Sequence, residues 1–502
     1  MTATKKNSMD FTHGPIFKKL LVFAIPIALS GILQLLFNAA DLIVIGQLSA
    51  TPDESLAAVS SNGSIIHLII NVALGLSIGA NVVMAQSIGA KNHEKASKTL
   101  HTSLSISLIL GFALGVIGFL LTRTILTIMN TDPIIIDKAE LYLKIFFCGM
   151  PANIVYNFGS ALLRAKGDTR RPMIYLTIAG VLNVLLNIVL VLNGWDVAGV
   201  AVATIFSQYV SAILLVITLF RENDDCKLFV RKLRIHKREL IDILRVGLPS
   251  GILSSFFSLA NVIIQSAINE FGYVIVAGSS TASQLDGFAY TTISSISSAI
   301  VSFVGQNYGA HNIKRIKRVV ICGFILSFSV SIAMTAILLI FGRFLSSLYT
   351  SDAQIIEYAV QKLQILMPLY FTAGFYEILV GALRGMNKNM VTMIVSLFCI
   401  CIFRVVWVNT ACRWIHEPYM LYLSYPISWA LNFIIDLIVF LVVYRKIARS
   451  ITQTAQDVPT SSQNSEDVSA AIESAETSEK TCSTTSETSE VACSATTDAP
   501  QE

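Results

Sequence analysis

Residues 319–342 read VVICGFILSFSVSIAMTAILLIFG and contain no charged side chain. A helix of that length rises about 36 Å, which exceeds the ~30 Å hydrocarbon core of a bilayer. Charge is also absent from five other long stretches, which are residues 55–90, 172–192, 197–220, 246–269 and 287–310. Several such helices in one chain leave no polar face for water. These stretches therefore predict an all-α integral membrane protein.

The composition of the whole chain points the same way, because only 14% of its 502 residues are charged and 54% are hydrophobic. Soluble domains average roughly 25% charged residues. The apolar stretches predict about twelve transmembrane helices, at residues 20–46, 60–88, 99–122, 141–163, 172–193, 197–220, 246–269, 276–306, 319–342, 363–383, 390–411 and 419–444. The first of them is too long for the apolar part of a cleaved signal peptide.

The basic residues predict how these helices are oriented. With the N-terminus placed inside, 28 of the 36 Lys and Arg lie in cytoplasmic connections and six lie in external ones. We therefore expect a multi-pass protein of a bacterial-type plasma (inner) membrane, with both termini in the cytoplasm. The basic excess is a topology signal, so no nucleic-acid partner is expected. The lipid bilayer is the expected partner, and the chain is expected to act as a monomer.

The sequence repeats itself at an offset of 220 residues. SGIL at residues 30–33 returns at 250–253, and QSIGA at 86–90 returns as QNYGA at 306–310. The remaining matches pair Thr131-Asp132 with Ser351-Asp352, Tyr156 with Tyr376, and Leu163-Arg164 with Leu383-Arg384. Each repeat holds an even number of helices, so both halves keep the same orientation. The predicted architecture is two six-helix bundles related by a pseudo-two-fold axis along the membrane normal, with a cavity between them.

The repeat and the composition divide the chain into four segments. We predict an N-terminal six-helix lobe at residues 1–220, a cytoplasmic basic linker at 221–245 and a C-terminal six-helix lobe at 246–450. Residues 451–502 contain one lysine, many Ser and Thr, and no aromatic residue. Such a segment buries too little apolar surface to offset its ordering entropy, which predicts a disordered cytoplasmic tail.

A group of polar residues lies at one depth in the first lobe. Asp41 precedes the outer end of the first predicted span by about five residues, Asn187 lies at a similar depth in the fifth, and Thr204 in the sixth. Asn183 is one turn deeper than Asn187 on the same helix face. A carboxylate, two amides and a hydroxyl can hold a proton or coordinate a hard monovalent cation. The alternative is that these residues join helices by hydrogen bonds.

The second lobe contains ionisable residues of both signs inside its predicted spans. Glu377 lies near the middle of the tenth span, Asp286 in the outer part of the eighth and Arg404 in the eleventh. Ionisable groups are costly in a bilayer, so each needs a partner or a function. Arg404 can neutralise either acid in a structural ion pair, or the acids can attract organic cations or hold a second ion. Asp436, in the last predicted span, is a further acid that faces either a partner helix or water near the inner side.

Motifs of catalysis and cofactor binding are absent from the sequence. There is no Gly-rich nucleotide loop ending in Lys-Ser or Lys-Thr, no nucleophile elbow and no paired histidines of a metal site. The eight cysteines form no disulfide or zinc framework, so no metal site is expected. We therefore expect a protein that is not an enzyme and binds no cofactor. Uphill transport would then have to draw on a gradient of protons or sodium ions.

Several motifs resemble the multidrug and toxic compound extrusion (MATE) family of ion-coupled drug antiporters. They are GPIFKK at residues 14–19, AQSIGAK at 85–91, ALLRAKGD at 161–168, VGQNYGA at 304–310 and GALRG at 381–385. The resemblance covers roughly residues 10–450. It implies twelve helices in two bundles that open alternately to each side. It also implies export of amphipathic, cationic organic compounds in exchange for protons or sodium ions.

By that resemblance, the cation site of the family's first lobe maps onto Asp41, Asn183, Asn187 and Thr204. Many relatives carry an aspartate where this chain has Asn187, which cannot take a proton. The choice between proton and sodium therefore stays open. Glu377 occupies the region in which some relatives place an acid for the coupling ion.

Two alternatives differ in the activity they assign to the chain. One is a flippase or exporter of a lipid-linked saccharide or another specific metabolite. Such flippases usually have additional helices and a strongly cationic central cavity, whereas acids outnumber bases in these spans. The other is a membrane-embedded enzyme or a receptor, which the two-fold repeat and the missing catalytic set disfavour.

Overall fold

A computed structural model describes residues 9–49, 51–222, 227–415 and 417–456. These residues form α-helices with no β-strand among them. In chain order the helices are α1 (Ile16–Leu48), α2 (Pro52–Ser61), α3 (Gly63–Gly89), α4 (His93–Ile128), α5 (Ile136–Cys148), α6 (Met150–Lys166), α7 (Arg170–Leu192), α8 (Asp196–Arg221), α9 (Lys237–Asn269), α10 (Tyr273–Gly309), α11 (Ile313–Ser347), α12 (Ala353–Leu366), α13 (Tyr370–Gly385), α14 (Asn389–Ser396), α15 (Phe403–Asn409), α16 (Ala411–Trp414) and α17 (Pro418–Gln456).

The described helices agree with the predicted number of spans. Ten stretches are long and apolar enough to cross a membrane, and the bent pair α5 and α6 makes an eleventh. One of the ten, Arg170–Arg221, contains both α7 and α8. A turn at residues 193–195 reverses the chain between these two helices, and they pack against each other. Counting them separately gives twelve membrane-crossing segments.

Three of the predicted spans are not single straight helices. The fourth bends by 48° between α5 and α6, where Gly149 and Pro151 interrupt the hydrogen-bond ladder. A turn of 3-10 helix at Met367–Leu369 joins α12 to α13 in the tenth. The eleventh contains a π-helical turn, Leu397–Ile402, between α14 and α15. These breaks change which residues of a span face its neighbours.

Each half of the chain has its own hydrophobic core. One cluster of buried apolar side chains contains only residues between Ala58 and Leu228, and another contains only residues between Ile264 and Trp429. Many large apolar side chains, Phe112, Leu120 and Ile340 among them, point outward instead. A soluble protein rarely exposes so much apolar surface, whereas a lipid-facing helix must.

The repeat recurs in the backbone geometry. Asp132 accepts a hydrogen bond from the amide of Ile134 at 2.9 Å, and Asp352 accepts one from Gln354 at 2.8 Å. Left-handed backbone also recurs at the offset of 220, because Lys91 and His311 have φ angles of 53° and 54°. The two halves are thus built from the same supersecondary units.

The two halves are joined tightly where α3 and α10 end, beside the basic residues at 91–98 and 314–318; this end of the molecule is called the basic end here. A Cβ on Gly89 would lie 1.9 Å from the carbonyl oxygen of Gln306, and one on Gly309 would lie 2.0 Å from that of Gln86. Only glycine permits this approach of α3 to α10. The Gln86 side chain donates to the carbonyl of Gly385, and that of Gln306 donates to the carbonyl of Ala165.

Residues 9–14, called the N-terminal strap here, cross this junction. The amide of Met9 donates to the carbonyl of Gly167 in the first half. The amide of Phe11 donates to Oε1 of Gln306 in the second half, and its carbonyl accepts from Arg315 at 2.9 Å. The Phe11 ring stacks on Phe303 with centroids 4.0 Å apart. The strap therefore holds the two halves together at the basic end.

Some sequence expectations lie outside the described residues. The predicted tail at 451–502 is described only as far as Gln456, where α17 ends. Residues 223–226 of the predicted linker are also outside. The described part of that linker includes a 3-10 turn, Val230–Lys232, and the first turns of α9.

Candidate functional site

The polar residues predicted at one depth of the first half lie together. Asp41 comes from α1, Asn183 and Asn187 from α7, and Thr204 from α8. The Asn187 amide donates to Oδ1 of Asp41 at 2.5 Å and to Oδ1 of Asn183 at 3.5 Å. The Asn183 amide donates to the hydroxyl of Thr204 at 3.3 Å, and that hydroxyl donates to the carbonyl of Val200 at 2.8 Å. Asn187 therefore donates in two directions, to the carboxylate of Asp41 and, through Asn183 and Thr204, toward the carbonyl of Val200.

One hydrogen-bond acceptor in this group of residues has no donor. Asn187 is fully buried, and its side-chain oxygen has no hydrogen-bond partner among the described residues. A buried acceptor without a donor is costly unless a cation or a proton donor completes it. The carboxylate of Asp41 has only neutral hydrogen-bond partners here. The arrangement can therefore load a proton on Asp41, or a monovalent cation on the carboxylate and amide oxygens.

Sequence reasoning missed one neighbour of this group. Tyr142 of α5 is buried and lies close enough to Asp41 to interact with it electrostatically. No spacing rule identifies Tyr142, because the bend between α5 and α6 decides where α5 runs. Tyr142 belongs to a buried apolar cluster with Val44, Val191 and Val200, which come from the same three helices as the polar group.

In the second half, Glu377 is buried on α13 and paired with a tyrosine. Its Oε1 accepts a hydrogen bond from the Tyr290 hydroxyl at 3.1 Å, and its backbone carbonyl accepts from Ser297 at 2.8 Å. Tyr290 is 41% exposed, so part of its side chain stays accessible. A carboxylate beside an open aromatic ring suits an organic cation.

Asp286 of α10 has neighbours besides the predicted Arg404. It interacts electrostatically with Tyr370, Lys362 and, more weakly, Arg404. Lys362 directly precedes the predicted tenth span and was one of the six basic residues assigned to external connections. Lys362 is in fact buried on α12, where its ammonium donates to Ser283 at 2.7 Å and to both oxygens of Ser279. The prediction for Lys362 was wrong because α12 and α13 form one broken span, which brings this lysine inside the bundle.

The predicted ion pair of Arg404 with Glu377 or Asp286 does not form. Within the part of the chain that the structure describes, no carboxylate lies within 4.0 Å of its guanidinium. Arg404 instead donates to the Ser428 hydroxyl at 2.9 Å and stacks over the Tyr425 ring at 4.1 Å. The π-helical turn that precedes α15 alters the register of this span, so Arg404 faces α17.

A small cavity of about 100 Å³ lies between the two halves. Glu377 lines it together with Arg164 of α6 and Arg384 of α13, which are equivalent positions of the repeat. Its other lining residues are Ile78, Asn81, Ser294, Ser297, Ser298 and Val301. Both arginines directly follow predicted spans, the fourth and the tenth, and were therefore among the 28 basic residues assigned to cytoplasmic connections. Their repeat relation was the signal that could have singled them out.

No group of three or more His, Cys, Asp or Glu with metal-site geometry occurs among residues 9–49, 51–222, 227–415 and 417–456. The buried acids are spread over separate helices and separate neighbours. The described geometry therefore offers a site for a proton or monovalent cation, and a second site for charged organic groups.

Comparisons with known proteins bear on this geometry. The MatE family model matches residues 26–189 and 249–408. The chain is 26% identical over 393 residues to "Probable multidrug resistance protein YoeA" of Bacillus subtilis, covering 77% of this chain and 84% of that protein. It is also 26% identical to the "FAD transporter" of Shewanella oneidensis, over 78% of this chain and 87% of that protein. A solved transporter of the MOP superfamily from Pyrococcus furiosus has the same fold, with a TM-score of 0.83 at 24% identity, covering 89% of this chain and all of that one.

Proposed function

The chain belongs to the MatE family of membrane transporters, and we propose that it exports amphipathic organic compounds in exchange for protons or sodium ions. Relatives named multidrug resistance or multidrug export proteins support multidrug efflux. The protein is a transporter and not an enzyme. The coupling ion, the substrate class and the direction of exchange belong to the proposal.

The polar group around Asp41 carries the proposal. A proton or sodium ion that binds this carboxylate changes the net charge of the site by one, because no Lys or Arg of the described residues lies within 4.0 Å of Asp41 to balance it already. An antiporter needs such a group, since ion binding and substrate binding must exclude each other or follow one another. The unpartnered oxygen of Asn187 gives a bound cation a second ligand.

The junction at the basic end supports an alternating-access cycle. Gly89, Gly309, Gln86 and Gln306 close the space between the halves at that end, and the N-terminal strap reinforces the closure. A transporter that exposes one side at a time must break this junction in its opposite state. Each contact there is a single hydrogen bond or a small packing contact, so the closure is reversible.

Glu377 and Tyr290 support the cationic part of the substrate proposal. They combine a buried carboxylate with a partly open aromatic ring, and the two groups are already hydrogen-bonded. A positively charged amine can interact with the carboxylate and the ring face together. The apolar part of the substrate needs no specific partner, because multidrug cavities are lined by ordinary apolar side chains.

We place the basic end in the cytoplasm of a bacterial-type plasma membrane. The support is the distribution of Lys and Arg over the short connections. Labelling with a membrane-impermeant thiol reagent tests this in a cysteine-free background. A cysteine replacing the exposed Asn193 should react from outside, and one replacing the exposed Lys91 should not. The opposite pattern would invert the topology.

Reconstitution into proteoliposomes tests the function itself. Uptake of a fluorescent organic cation is measured with a proton gradient alone, a sodium gradient alone, and neither. One of the two gradients should drive accumulation against the concentration of the dye. Equal rates under all three conditions would contradict secondary active antiport.

A second candidate is export of a specific anionic metabolite. The cavity that contains Arg164 and Arg384 favours it, and one relative is named as an FAD transporter. The same proteoliposomes, loaded with FAD in place of the cation, distinguish the two. Gradient-driven transport of FAD without transport of the organic cation would establish the second candidate.

A further inference from the structure

The cavity between the halves lies on the internal two-fold relation of the chain. Three pairs of its lining residues are equivalent positions of the repeat: Ile78 with Ser298, Asn81 with Val301, and Arg164 with Arg384. The two arginines extend toward the same space from α6 and α13, one helix from each half. A single cavity therefore joins two guanidinium groups that are 220 residues apart in sequence.

Neither guanidinium forms an ion pair with a carboxylate among the residues that the structure describes, since none of these carboxylates lies within 4.0 Å of Arg164 or Arg384. The Nε of Arg384 is buried and makes no hydrogen bond in that part of the chain. Asp436 is the acid that interacts with Arg384 at longer range. Two cations share this cavity with a single acid, Glu377, which lies beyond ion-pair distance of both, so the lining keeps a positive charge that an anionic group can balance.

The chemistry of arginine narrows the class of anion. A guanidinium presents its donors in a planar fork that matches a carboxylate or a phosphate. The cavity volume of about 100 Å³ is well below the roughly 300–1,000 Å³ of pockets that enclose whole drug-sized ligands. It has room for one acidic group, while the rest of the molecule extends into the cleft.

Glu377 adds the opposite charge to the same cavity. Arg164, Arg384 and Glu377 together leave one net positive charge on its lining. The Glu377 carboxylate is held by Tyr290, whose ring is partly exposed. A molecule with an amine and an acidic group can thus interact with both kinds of charge.

We propose that Arg164 and Arg384 bind the carboxylate or phosphate group of a zwitterionic amphipathic substrate, whose amine lies at Glu377 and Tyr290. This assignment rests on the proposed export function and names its substrate class. Because the two arginines belong to different halves, any movement of one half against the other changes the spacing of their forks. The affinity for the acidic group then differs between the two states of the transporter, which transport requires.

A matched pair of dyes tests the assignment. One is a fluorescent aminoxanthene dye with a free carboxyl group, and the other is its methyl ester, which keeps only the cationic part. In proteoliposomes with the driving ion gradient, wild-type protein should transport the carboxyl dye with the lower KM. Arg164→Gln and Arg384→Gln should each raise that KM about ten- to a hundredfold, because each loses charge-assisted hydrogen bonds. The KM of the ester should change by less than about twofold.

Further variants separate binding of the acid from a structural role. Arg164→Lys and Arg384→Lys keep the charge but lose the fork, so they should recover part of the preference for the carboxyl dye. Arg170→Gln removes an exposed arginine outside the cavity and should transport both dyes as wild type does. A version of the dye with a phosphate in place of the carboxyl shows which acidic group is preferred.

The outcomes distinguish this assignment from the proposed function. If the arginine variants lose transport of both dyes equally, the arginines are structural and the assignment is wrong. It is also wrong if the variants transport the carboxyl dye with an unchanged KM. If wild-type protein transports neither dye under any gradient, the export function itself fails.

Discussion

The two halves of the molecule share a fold and differ in how their buried charges are balanced. In the first half, the side-chain hydrogen-bond partner that Asp41 has among the described residues is the neutral Asn187, and further bonds link Asn187 to Asn183 and Thr204. In the second half, Asp286 has Lys362 nearby, and Arg404 stacks on Tyr425. One scaffold thus carries an uncompensated acid in one copy and acids mixed with bases in the other.

This difference indicates that the two halves have different roles in transport. When a proton or a cation binds an uncompensated carboxylate, the net charge of the site changes by one. The free energy of packing of the surrounding helices therefore depends strongly on whether the ion is bound. A carboxylate that already has a cation nearby changes less. We therefore assign ion coupling to the first half and recognition of charged organic groups to the second half and the cavity between them.

Removing the charge of Asp41 should produce the largest effect. Asp41→Asn keeps the size of the side chain and much of its hydrogen bonding, but it cannot lose a proton or neutralise a cation. Gradient-driven dye accumulation in proteoliposomes should fall to the level of protein-free vesicles, with normal expression and insertion. Asp53→Asn, which changes an exposed acid of α2, is the control and should transport as wild type does. If Asp41→Asn accumulates the dye to the wild-type level, Asp41 and its partners only join helices by hydrogen bonds.

The junction at the basic end should depend unequally on its two equivalent glutamines. The Gln306 side chain donates to the carbonyl of Ala165 and accepts from the amide of Phe11. The Gln86 side chain makes one described hydrogen bond, to the carbonyl of Gly385. Each lost hydrogen bond should weaken the closure by about 1 kcal/mol, a factor of about five in its equilibrium. A cysteine replacing the buried Ser302 reports opening through its labelling rate. Gln306→Ala should raise that rate more than Gln86→Ala, and the reverse order would contradict the role of the strap.

Adding a second acid to the first half should have a moderate effect. Asn187→Asp places a carboxylate within hydrogen-bond distance of Asp41, and two such groups titrate as a coupled pair. Transport should persist, and its pH optimum should shift because a second titrating group joins the site. Initial rates across a pH series measure this shift. A complete loss of transport would mean that the Asn187 amide is required as a donor.

The smallest effect should come from coupling between Glu377 and Arg404. The structure shows no ion pair between them, so their substitutions should act independently. In a double-mutant cycle with Glu377→Gln and Arg404→Met, the change in free energy of unfolding in detergent should be additive within about 0.5 kcal/mol. Rescue of Glu377→Gln by the second substitution would restore the interpretation of a structural ion pair.

What the sequence predicts well is explained by regular helices. Asp41, Asn187 and Thr204 lie on α1, α7 and α8, which are unbroken in these regions, so counting residues from the ends of the spans correctly predicts that they lie together. The repeat likewise predicts equivalent turns, such as those at Asp132 and Asp352, because identical local hydrogen bonds form in both halves.

The features that the sequence does not predict depend on breaks within the helices and on contacts between residues that are far apart in sequence. Lys362 was assigned to a loop because the break between α12 and α13 cannot be read from hydropathy. The partners of Arg404 depend on a π-helical turn, which has no marked sequence signature here. Arg164 and Arg384 look like loop charges until the fold brings the two halves together. Long-range packing of this kind is not encoded in any local pattern.

Ion flux driven by substrate tests most directly whether Asp41 carries the coupling ion. Proteoliposomes are loaded with a pH-sensitive dye or with radioactive sodium, and ion movement is recorded when the organic substrate is added without any imposed gradient. Wild-type protein and Glu377→Gln, the latter at saturating substrate, should both move one of the two ions in exchange for substrate, and Asp41→Asn should move neither. Substrate-driven ion flux through Asp41→Asn at the wild-type rate would contradict the assignment of coupling to the first half.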